Sequence, residues 1–303
     1  MSLGESLKRG IFNRYHKKMP FFERLLKDLS HGIIAWGNFF KNGFQRKRIL
    51  VHPHYPSRGS TLYKAARTLN YTLSNKVRKQ QDIAVYWEYA TYREEFQVLE
   101  SLATKIPVLN LHSRDISKVA VDRAHLQVFE YNTFVDAQSY KGKIVQKNDV
   151  NAIHDGQILQ GPLAKTEAGF IYQILIDNSF DENWVLDIRV PIVKGSLDFV
   201  YLKYRDIKER FKNTTVKTEV KPIKDIFNAE EIQLINQFCQ TMHLDYGELD
   251  VLRNKDDGKI YIVDVNNTPQ GPPANTPKEQ GEEAIGKIGE AILSRIFDAA
   301  GVV

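Results

Sequence analysis

The sequence predicts an α/β protein whose N-terminal part is a small parallel sheet and whose C-terminal part belongs to the α+β class. Two patterns carry this prediction. Short apolar runs alternate with helical segments between residues 48 and 112, as they do where helices connect parallel strands. Farther along the chain, apolar runs separated by short turns indicate antiparallel hairpins. A length of 303 residues suggests at least two domains.

The composition is that of a globular protein in a reducing compartment. Apolar residues make up 42% of the chain and charged residues 26%, which excludes a disordered class. The single cysteine, Cys239, excludes a disulfide framework and a cysteine-based zinc site, and its helical spacing marks it as a core residue. No run of 18 apolar residues is present, and residues 1–30 lack the pattern of a secretory signal. We therefore expect a cytoplasmic protein.

Basic charge is concentrated at the start of the chain. Residues 1–48 carry a net charge of +8 and the remainder −3, so the overall basicity does not indicate a nucleic-acid partner. We predict that residues 1–47 form a basic arm of two short helices, which packs on the body of the protein or on a second subunit. The alternative is a peripheral contact with an anionic membrane surface or an acidic partner. The arm is rich in aromatic residues: Phe12, Tyr15, Phe21, Phe22, Trp36, Phe39, Phe40 and Phe44.

Residues 48–112 are predicted to form the N-terminal α/β domain. Strands and helices should alternate there over residues 48–53, 61–73, 82–86, 92–103 and 106–111. Ser60 precedes the first helix, where a hydroxyl can accept hydrogen bonds from the free backbone N–H groups of the first turn. The loop that contains His52 and His54 follows a strand end, which makes it a candidate wall of a substrate pocket or a plain polar turn.

Two further regions are predicted. Residues 113–178 should hold a helix at 117–130, strands at 143–147, 157–159 and 170–176, and a polar loop at 148–156. Residues 179–303 should hold antiparallel strands at 185–192 and 198–204, a loop at 211–222, a helix at 229–242, strands at 247–253 and 259–265, and a final helix at 279–300.

The last predicted hairpin carries the strongest chemical signal. Asp257-Gly258 is a typical hairpin turn, and pairing around it places Asp250 opposite Asp264. Asn266 follows two residues later and therefore points to the same side of the strand. Two carboxylates and an amide oxygen on one face are ligands that Mg²⁺ accepts when it also binds substrate phosphates. The apolar neighbours in both strands indicate a buried pair, and buried carboxylates require a cation.

This stretch resembles the metal-binding hairpin of ATP-grasp enzymes. In that family an acid in a G-x-D strand is followed about fourteen residues later by an acid-x-Asn motif and then by proline. Asp250, Asp264-Val265-Asn266 and Pro269 match this pattern, with aspartate standing where glutamate is usual. The resemblance implies that Asp250, Asp264 and Asn266 bind one or two Mg²⁺ ions, for which Mn²⁺ can substitute.

The resemblance extends upstream to the RimK-like branch of the family. Asp187-Ile188-Arg189 is similar to its D-I-R strand, and Lys203-Tyr204-Arg205 falls where that branch has a basic residue. The resemblance implies catalytic roles for Arg189, Lys203 and Arg205 in neutralising phosphate charge. Single basic residues are more often solvated surface charges, but Arg189 and Lys203 lie inside otherwise apolar strands.

Nucleotide-binding residues are implied in the same way. Lys147 resembles the lysine that grips ATP phosphates, Gly156 lies in the presumed phosphate lid, Arg123 stands where the family has lysine, and Asn213 ends an R-x-x-N segment. The hinge that contacts adenine corresponds to Gln173, Ile174, Leu175, Ile176 and Asp177. Arg123, Ile174 and the single glycine of the lid depart from the family pattern.

The resemblance implies an ATP-grasp fold with a pre-ATP-grasp domain and two α+β lobes that clasp ATP. It implies a ligase that activates a small-molecule or peptide carboxylate as an acylphosphate for attack by an amine, with no nucleic-acid partner. Two alternatives stay open. One is an ATP-grasp kinase that phosphorylates a hydroxyl. The other is a degenerate ATP-binding protein that serves the assembly of cell-surface polysaccharide or peptide.

Overall fold

The computed structural model describes residues 47–77, 80–150, 153, 155–212 and 214–299, together with eight separate positions between residues 22 and 44. The predicted arm of residues 1–47 therefore lies largely outside the described residues. The N-terminal domain contains a parallel sheet of four strands in the order β2-β1-β3-β4. Its strands are β1 (Arg48–Pro53), β2 (Thr72–Ser74), β3 (Ile83–Trp87) and β4 (Val108–Leu109), and its helices are α1 (Thr61–Thr68) and α2 (Gln97–Ala103). The parallel unit expected from the sequence is confirmed.

Three element boundaries in this domain differ from the prediction. Helix α1 ends at Thr68, because Asn70 adopts a left-handed conformation (φ 58°) and the chain turns directly into β2. Helix α2 begins at Gln97, five residues later than expected, and β4 has two residues in place of six. The N-cap of α1 is confirmed, because the Ser60 hydroxyl accepts a hydrogen bond from the backbone N–H of Tyr63.

The central lobe begins with α3 (Lys118–Phe129) and continues into a small antiparallel sheet. That sheet has the order β6-β5-β7, with β5 (Lys143–Asn148), β6 (Gln157–Gln160) and β7 (Phe170–Ile174). The sheet has a small core of its own around Ala137, Ile144 and Tyr172.

The C-terminal lobe is built on an antiparallel sheet of five strands in the order β10-β9-β8-β11-β12. The strands are β8 (Trp184–Val193), β9 (Phe199–Asp206), β10 (Lys217–Pro222), β11 (Tyr246–Arg253) and β12 (Ile260–Asn266). Its helices are α4 (Ala229–Thr241) and α5 (Lys278–Ile292), and α5 continues into a wider turn over Leu293–Asp298. The predicted loop at 211–222 is wrong over its second half, where β10 forms a charged edge strand.

Each face of the five-stranded sheet packs differently. One face presents Ile188, Val190, Leu202, Leu249 and Val265 to α3 and α4, in a core that also contains Cys239. On the other face, one end of the sheet packs against the N-terminal domain and forms a second core with it. Val193, Phe199, Tyr201 and Tyr246 pack there with residues of β1, β3, α1 and α5. Cys239 is buried as predicted, and burial raises the pKa of its thiol.

Buried hydrogen bonds fasten the N-terminal domain to the five-stranded sheet. The side-chain oxygen of Asn110 accepts from the backbone N–H groups of Asp245 (2.9 Å) and Tyr246 (3.0 Å). Its amide nitrogen donates to the carbonyl of Tyr246 (2.7 Å). Arg93 donates to the Asn267 side chain at 2.5 Å. The N-terminal domain and the five-stranded sheet therefore together support the site described below.

Among the described helices, none has both the length and the apolar character needed to cross a bilayer.

Candidate functional site

The second face of the five-stranded sheet carries a row of charged side chains next to the second core. Strand register places Asp250 on β11 between Arg189 on β8 and Asp264 on β12. Because side chains alternate between faces, residues two positions away share this face. The set, called the polar face below, consists of Asp187, Arg189, Lys203, Arg205, Glu248, Asp250, Asp264 and Asn266.

The expected pairing of Asp250 with Asp264 is present. The hairpin closes at Asn254, whose N–H donates to the carbonyl of Lys259 at 2.9 Å. A bulge shifts the register between Asp250 and Val251, so that Val263 is the extra residue on β12. The bulge allows both acids to occupy the polar face, while Val251 and Ile262 stay opposite each other in the core.

Asp250 is held by two cations. Arg189 binds it in a bidentate manner, with Nε 2.9 Å from Oδ1 and Nη2 3.1 Å from Oδ2. Lys203 Nζ lies 3.4 Å from Oδ1. Burial alone would raise the pKa of Asp250, but Arg189 and Lys203 hold it far below its usual range. The predicted catalytic cations and a predicted metal ligand are therefore in direct contact.

Asp264 differs from its partner. Within the described part of the chain, its side chain makes no hydrogen bond and no ion pair. Burial and the neighbouring charge of Asp250 raise its pKa to about 6, against the attraction of Lys118, Lys147 and Arg189. A carboxylate that is repelled by a second carboxylate and lacks a direct partner is suited to bind a cation.

A second ion pair extends the polar face toward the central lobe. Arg205 Nε lies 3.2 Å from Asp187 Oδ2, and Asn178 donates to Asp187 Oδ1 at 3.0 Å. Asn178 in turn accepts from Arg210 at 2.6 Å. Arg210 also donates to the carbonyl of Ile176 at 2.9 Å, so the polar face is connected to the predicted hinge.

Lys147 of β5 in the central lobe interacts electrostatically with the polar face. Burial and the nearby charge of Lys118 lower its pKa to about 8, against the attraction of Asp264, Asp187 and Asp122. Lys147 therefore lies within electrostatic reach of the carboxylates. Gly156 of the predicted lid packs on Phe211, because a Cβ at this position would lie 2.6 Å from its ring. The predicted lid therefore touches the C-terminal lobe through Phe211.

The predicted hinge borders a cleft with a volume of about 750 Å³. Leu175 and Asp177 line this cleft together with Lys143, Arg210 and Lys255. Clefts of this size hold small ligands and cofactors. Ile174 ends β7 beside this segment, and Ile176 is buried.

Some predicted nucleotide-binding residues are placed differently. The Gln173 side chain is buried and donates to the Thr133 hydroxyl, which donates to Asp122, so Gln173 and Asp122 connect α3 to β7. Arg123 is exposed on the outer side of α3. Asn213 lies outside the described residues.

Sequence reasoning missed two charged residues at this site. Lys118 begins α3, and its charge acts on both Lys147 and Asp264. The helical spacing of four residues between Lys118 and buried Asp122 is the signal that could have found it. Glu248 is 2% exposed beside Arg189, with Oε2 3.3 Å from Nη1. Burial raises the pKa of Glu248 to about 7. The sequence shows that Glu248 lies two residues from Asp250, on the same face of the strand, but it does not show that Glu248 is buried.

The residues present fit a divalent cation held jointly with a substrate. The described residues contain no cluster of three or more histidine, cysteine, aspartate or glutamate side chains able to hold a metal ion. Two carboxylates and the Asn266 amide oxygen leave positions for phosphate oxygens and water, as Mg²⁺ requires. The Asn266 oxygen accepts the Thr268 N–H at 3.0 Å, which fixes its orientation.

No protein-family model matches the chain, and no curated protein matches it. Among solved structures, D-alanine–D-alanine ligase from Bacillus anthracis has a TM-score of 0.51 at 13% identity, covering 84% of this chain and 98% of that chain. The same ligase complexed with ATP gives a TM-score of 0.51 at 14% identity, with coverage of 84% and 98%. At this identity the likeness concerns the fold. The chain therefore has an ATP-grasp fold.

Proposed function

We propose that this chain is an ATP-dependent ligase that joins a carboxylate to an amine. The observation that carries the proposal is the polar face, where Asp250 and Asp264 lie opposite each other beside Arg189 and Lys203. Buried charges of both signs are costly to a fold, so such a concentration indicates a functional site.

Each part of Mg-ATP has a matching feature. The cleft beside Leu175 and Asp177 would receive the adenosine, and Lys147 would bind the phosphates from the central lobe. Asp250, Asp264 and Asn266 would hold Mg²⁺, which supplies charge neutralisation at the phosphate oxygens. The ligase from Bacillus anthracis that shares the fold has been solved in complex with ATP.

The proposed reaction has two transfers. A substrate carboxylate oxygen forms a bond to the γ-phosphorus, the bond from that phosphorus to the bridging oxygen breaks, and ADP leaves. The amine nitrogen then bonds to the acyl carbon, phosphate leaves with the oxygen of the broken C–O bond, and the nitrogen loses a proton. Arg189, Lys203 and Arg205 stabilise the negative charge during the first transfer. Positioning and charge stabilisation suffice, so no nucleophilic side chain is required.

A thermal-shift titration with Mg-ATP tests the nucleotide site. We expect the melting temperature to rise with Mg-ATP concentration in the wild type and in Asp198→Ala, an exposed control on β9's entry turn, but not in Asp264→Ala. ATP-dependent phosphate release, with hydroxylamine as a trap for an acylphosphate, then tests the ligase chemistry across carboxylates and amines. No shift with the wild type at millimolar Mg-ATP would contradict the proposal.

The same experiments separate the alternatives. A phosphorylated acceptor without phosphate release would identify a kinase. The bidentate hold of Arg189 on Asp250 is the observation that favours a degenerate protein, since it occupies both oxygens of one predicted metal ligand. Mg-ATP binding without turnover, for every acceptor offered, would support that alternative.

A further inference from the structure

A second group of buried polar atoms lies where the polar face meets the N-terminal domain. Glu248 is 2% exposed, and neither of its carboxylate oxygens has a hydrogen-bond partner among the residues that the structure describes. Its closest cation is Arg189, at 3.3 Å from Oε2, and the same guanidinium also holds Asp250 with two hydrogen bonds. One cation therefore serves two carboxylates.

Two neighbouring groups also lack partners. The Tyr201 hydroxyl and the Trp87 indole nitrogen are buried, and neither makes a hydrogen bond within the described ranges of the chain. Burial raises the pKa of Tyr201, and the charge of Glu248 raises it further, so the hydroxyl lies within electrostatic reach of the carboxylate. Trp87 ends β3 and packs at 6.3 Å from the ring of Tyr246, two residues before Glu248. Folded proteins rarely leave several buried polar groups unpaired at one place.

Glu248 lies where the loop after β12 meets the N-terminal domain. A Cβ on Gly271 would lie 3.5 Å from Glu248 Oε1, so the loop after β12 passes directly over the carboxylate. That loop is tied to the N-terminal domain, because Lys64 donates to the carbonyl of Gly271 at 2.6 Å. The carboxyl ends of β1 and β3 meet at this seam, and ligands of α/β sheets bind beyond such strand ends.

A metal ion is not the occupant that this geometry favours. Glu248 does not complete a three-residue metal group with Asp250 and Asp264 in the described part of the chain. Arg189 on β8 and Lys203 on β9 attract the charge of Glu248, and Asp250 on the same strand repels it, whereas Asp264 on β12 is not among the groups that act on it. A carboxylate that accepts no hydrogen bond is stabilised most directly by a cation that supplies N–H donors.

We propose that Glu248 is the recognition residue for the ammonium group with which the amine substrate enters the site. This inference rests on the proposed ligase function. An ammonium donates up to three hydrogen bonds, and it compensates the carboxylate that Arg189 only partly neutralises. The unpartnered Tyr201 hydroxyl and Trp87 N–H would contact polar atoms on the same substrate. The site therefore selects amines that carry positive charge on arrival.

The test measures melting temperature with simple cations as probes. Methylammonium chloride is titrated against potassium chloride at equal ionic strength, and tetramethylammonium chloride, which has no N–H donor, serves as a second comparison. We expect methylammonium to raise the melting temperature of the wild type by about 1–2 °C at saturation, whereas tetramethylammonium does not. Glu248→Gln should lose this rise. Glu219→Gln, a control in surface ion pairs on β10 of the same sheet, should retain it.

Titrations with Mg-ATP and with MgCl₂ distinguish failure of the Glu248 assignment from failure of the ligase proposal. Mg-ATP must still raise the melting temperature of Glu248→Gln, so a lost ammonium response with an intact nucleotide response supports the assignment. Loss of the response to MgCl₂ in Glu248→Gln would overturn it and make Glu248 a metal ligand. An unchanged methylammonium response in Glu248→Gln, or none in a wild type that still responds to Mg-ATP, would also overturn it while leaving the ligase proposal standing.

A kinetic readout distinguishes recognition from a structural role. In Glu248→Gln, KM for a charged amine should rise at least tenfold more than KM for hydroxylamine, which traps the acylphosphate and is uncharged at neutral pH. An equal loss with both nucleophiles would contradict the proposal. If Glu248→Gln does not fold, Tyr201→Phe takes its place, with a smaller rise in KM of the same selectivity expected and an unselective loss counting against the assignment.

Discussion

The two faces of the five-stranded sheet are built from the same strands but have opposite chemistry. On one face, Val190 and Leu249 are fully buried and pack against helices α3 and α4. On the other, Arg189 and Asp250, their immediate neighbours in sequence, form a bidentate ion pair. A shift of register by one residue would exchange the two faces, so the apolar core determines where the charges point.

The comparison separates stability from chemistry. Burial of apolar surface stabilises the fold, whereas a buried ion pair often contributes little net stability because its desolvation is costly. We therefore expect substitutions on the apolar face to lower the free energy of unfolding and substitutions on the polar face to lower activity. The predictions below test this division, from the largest expected effect to the smallest.

Lys203→Met should lower ATP-dependent turnover by about 10²–10³-fold, because it removes a buried cation that, under the proposed function, stabilises the developing phosphate charge. The side chain keeps a similar length and apolar stem, so the sheet should remain folded. ADP formation under saturating Mg-ATP measures the effect. Lys221→Met, a matched change on the exposed edge strand β10, is the control. Equal turnover in the two variants would contradict the expectation that substitutions on the polar face lower activity.

Leu249→Ala should lower the free energy of unfolding by about 3 kcal/mol, through the lost transfer free energy and the cavity left behind. Urea denaturation followed by circular dichroism measures it. Below the unfolding transition, Mg-ATP binding should be unchanged, since Leu249 points away from Asp250. Ile158→Ala, at a position 45% exposed, should change stability by less than about 0.5 kcal/mol. A Leu249→Ala protein of normal stability with weakened ATP binding would contradict the division.

Asp264→Asn should stabilise the metal-free protein at pH 7.5 while abolishing its response to Mg-ATP. The pKa of Asp264 is raised in the folded state to about 6, so its contribution to stability is complete below about pH 4 and is lost as the pH rises to about 6. The neutral amide lacks this loss. We expect a gain of about 1–2 kcal/mol at pH 7.5, after allowance for solvent screening of this half-buried group.

Urea denaturation at pH 4.0 and pH 7.5, without divalent cations, measures this difference. Asp198→Asn, which is exposed, provides the matched control. A gain of equal size at both pH values would show that the repulsion between Asp250 and Asp264 is not its source.

Lys118→Met should weaken ATP binding about tenfold, the effect of losing roughly 1.4 kcal/mol of interaction with phosphate. Arg123→Met should change the affinity less than twofold, because Arg123 is exposed on the outer side of α3. Isothermal titration with Mg-ATP compares the two variants. A larger loss of affinity in Arg123→Met than in Lys118→Met would instead support Arg123 as the phosphate-binding cation.

Sequence periodicity located most of the strands and the acidic pair, because both depend on local spacing. The Asp257-Gly258 turn located the hairpin, but Asp250 lies opposite Asp264 because of the bulge at Val263, which the spacing did not predict. Strand β10 was missed because Lys217, Glu219 and Lys221 alternate with residues that are not strongly apolar, as an edge strand permits. The burial of Glu248 could not be predicted, since it depends on Arg189, on Gly271 and on the N-terminal domain. The prediction for Arg123 rested on matching a motif. Its position on the helix, next to the buried Asp122, would have placed it on the exposed side.

The core shared between the N-terminal domain and the five-stranded sheet limits where chimeras between proteins of this fold can be joined. Phe199, Tyr201 and Tyr246 have their packing partners in β1, β3 and α1, so the boundary near residue 112 is not a seam at which the chain can be divided. The sheet formed by β5, β6 and β7 has a core of its own. Chimeras that exchange only that sheet should therefore fold, whereas chimeras divided near residue 112 should not.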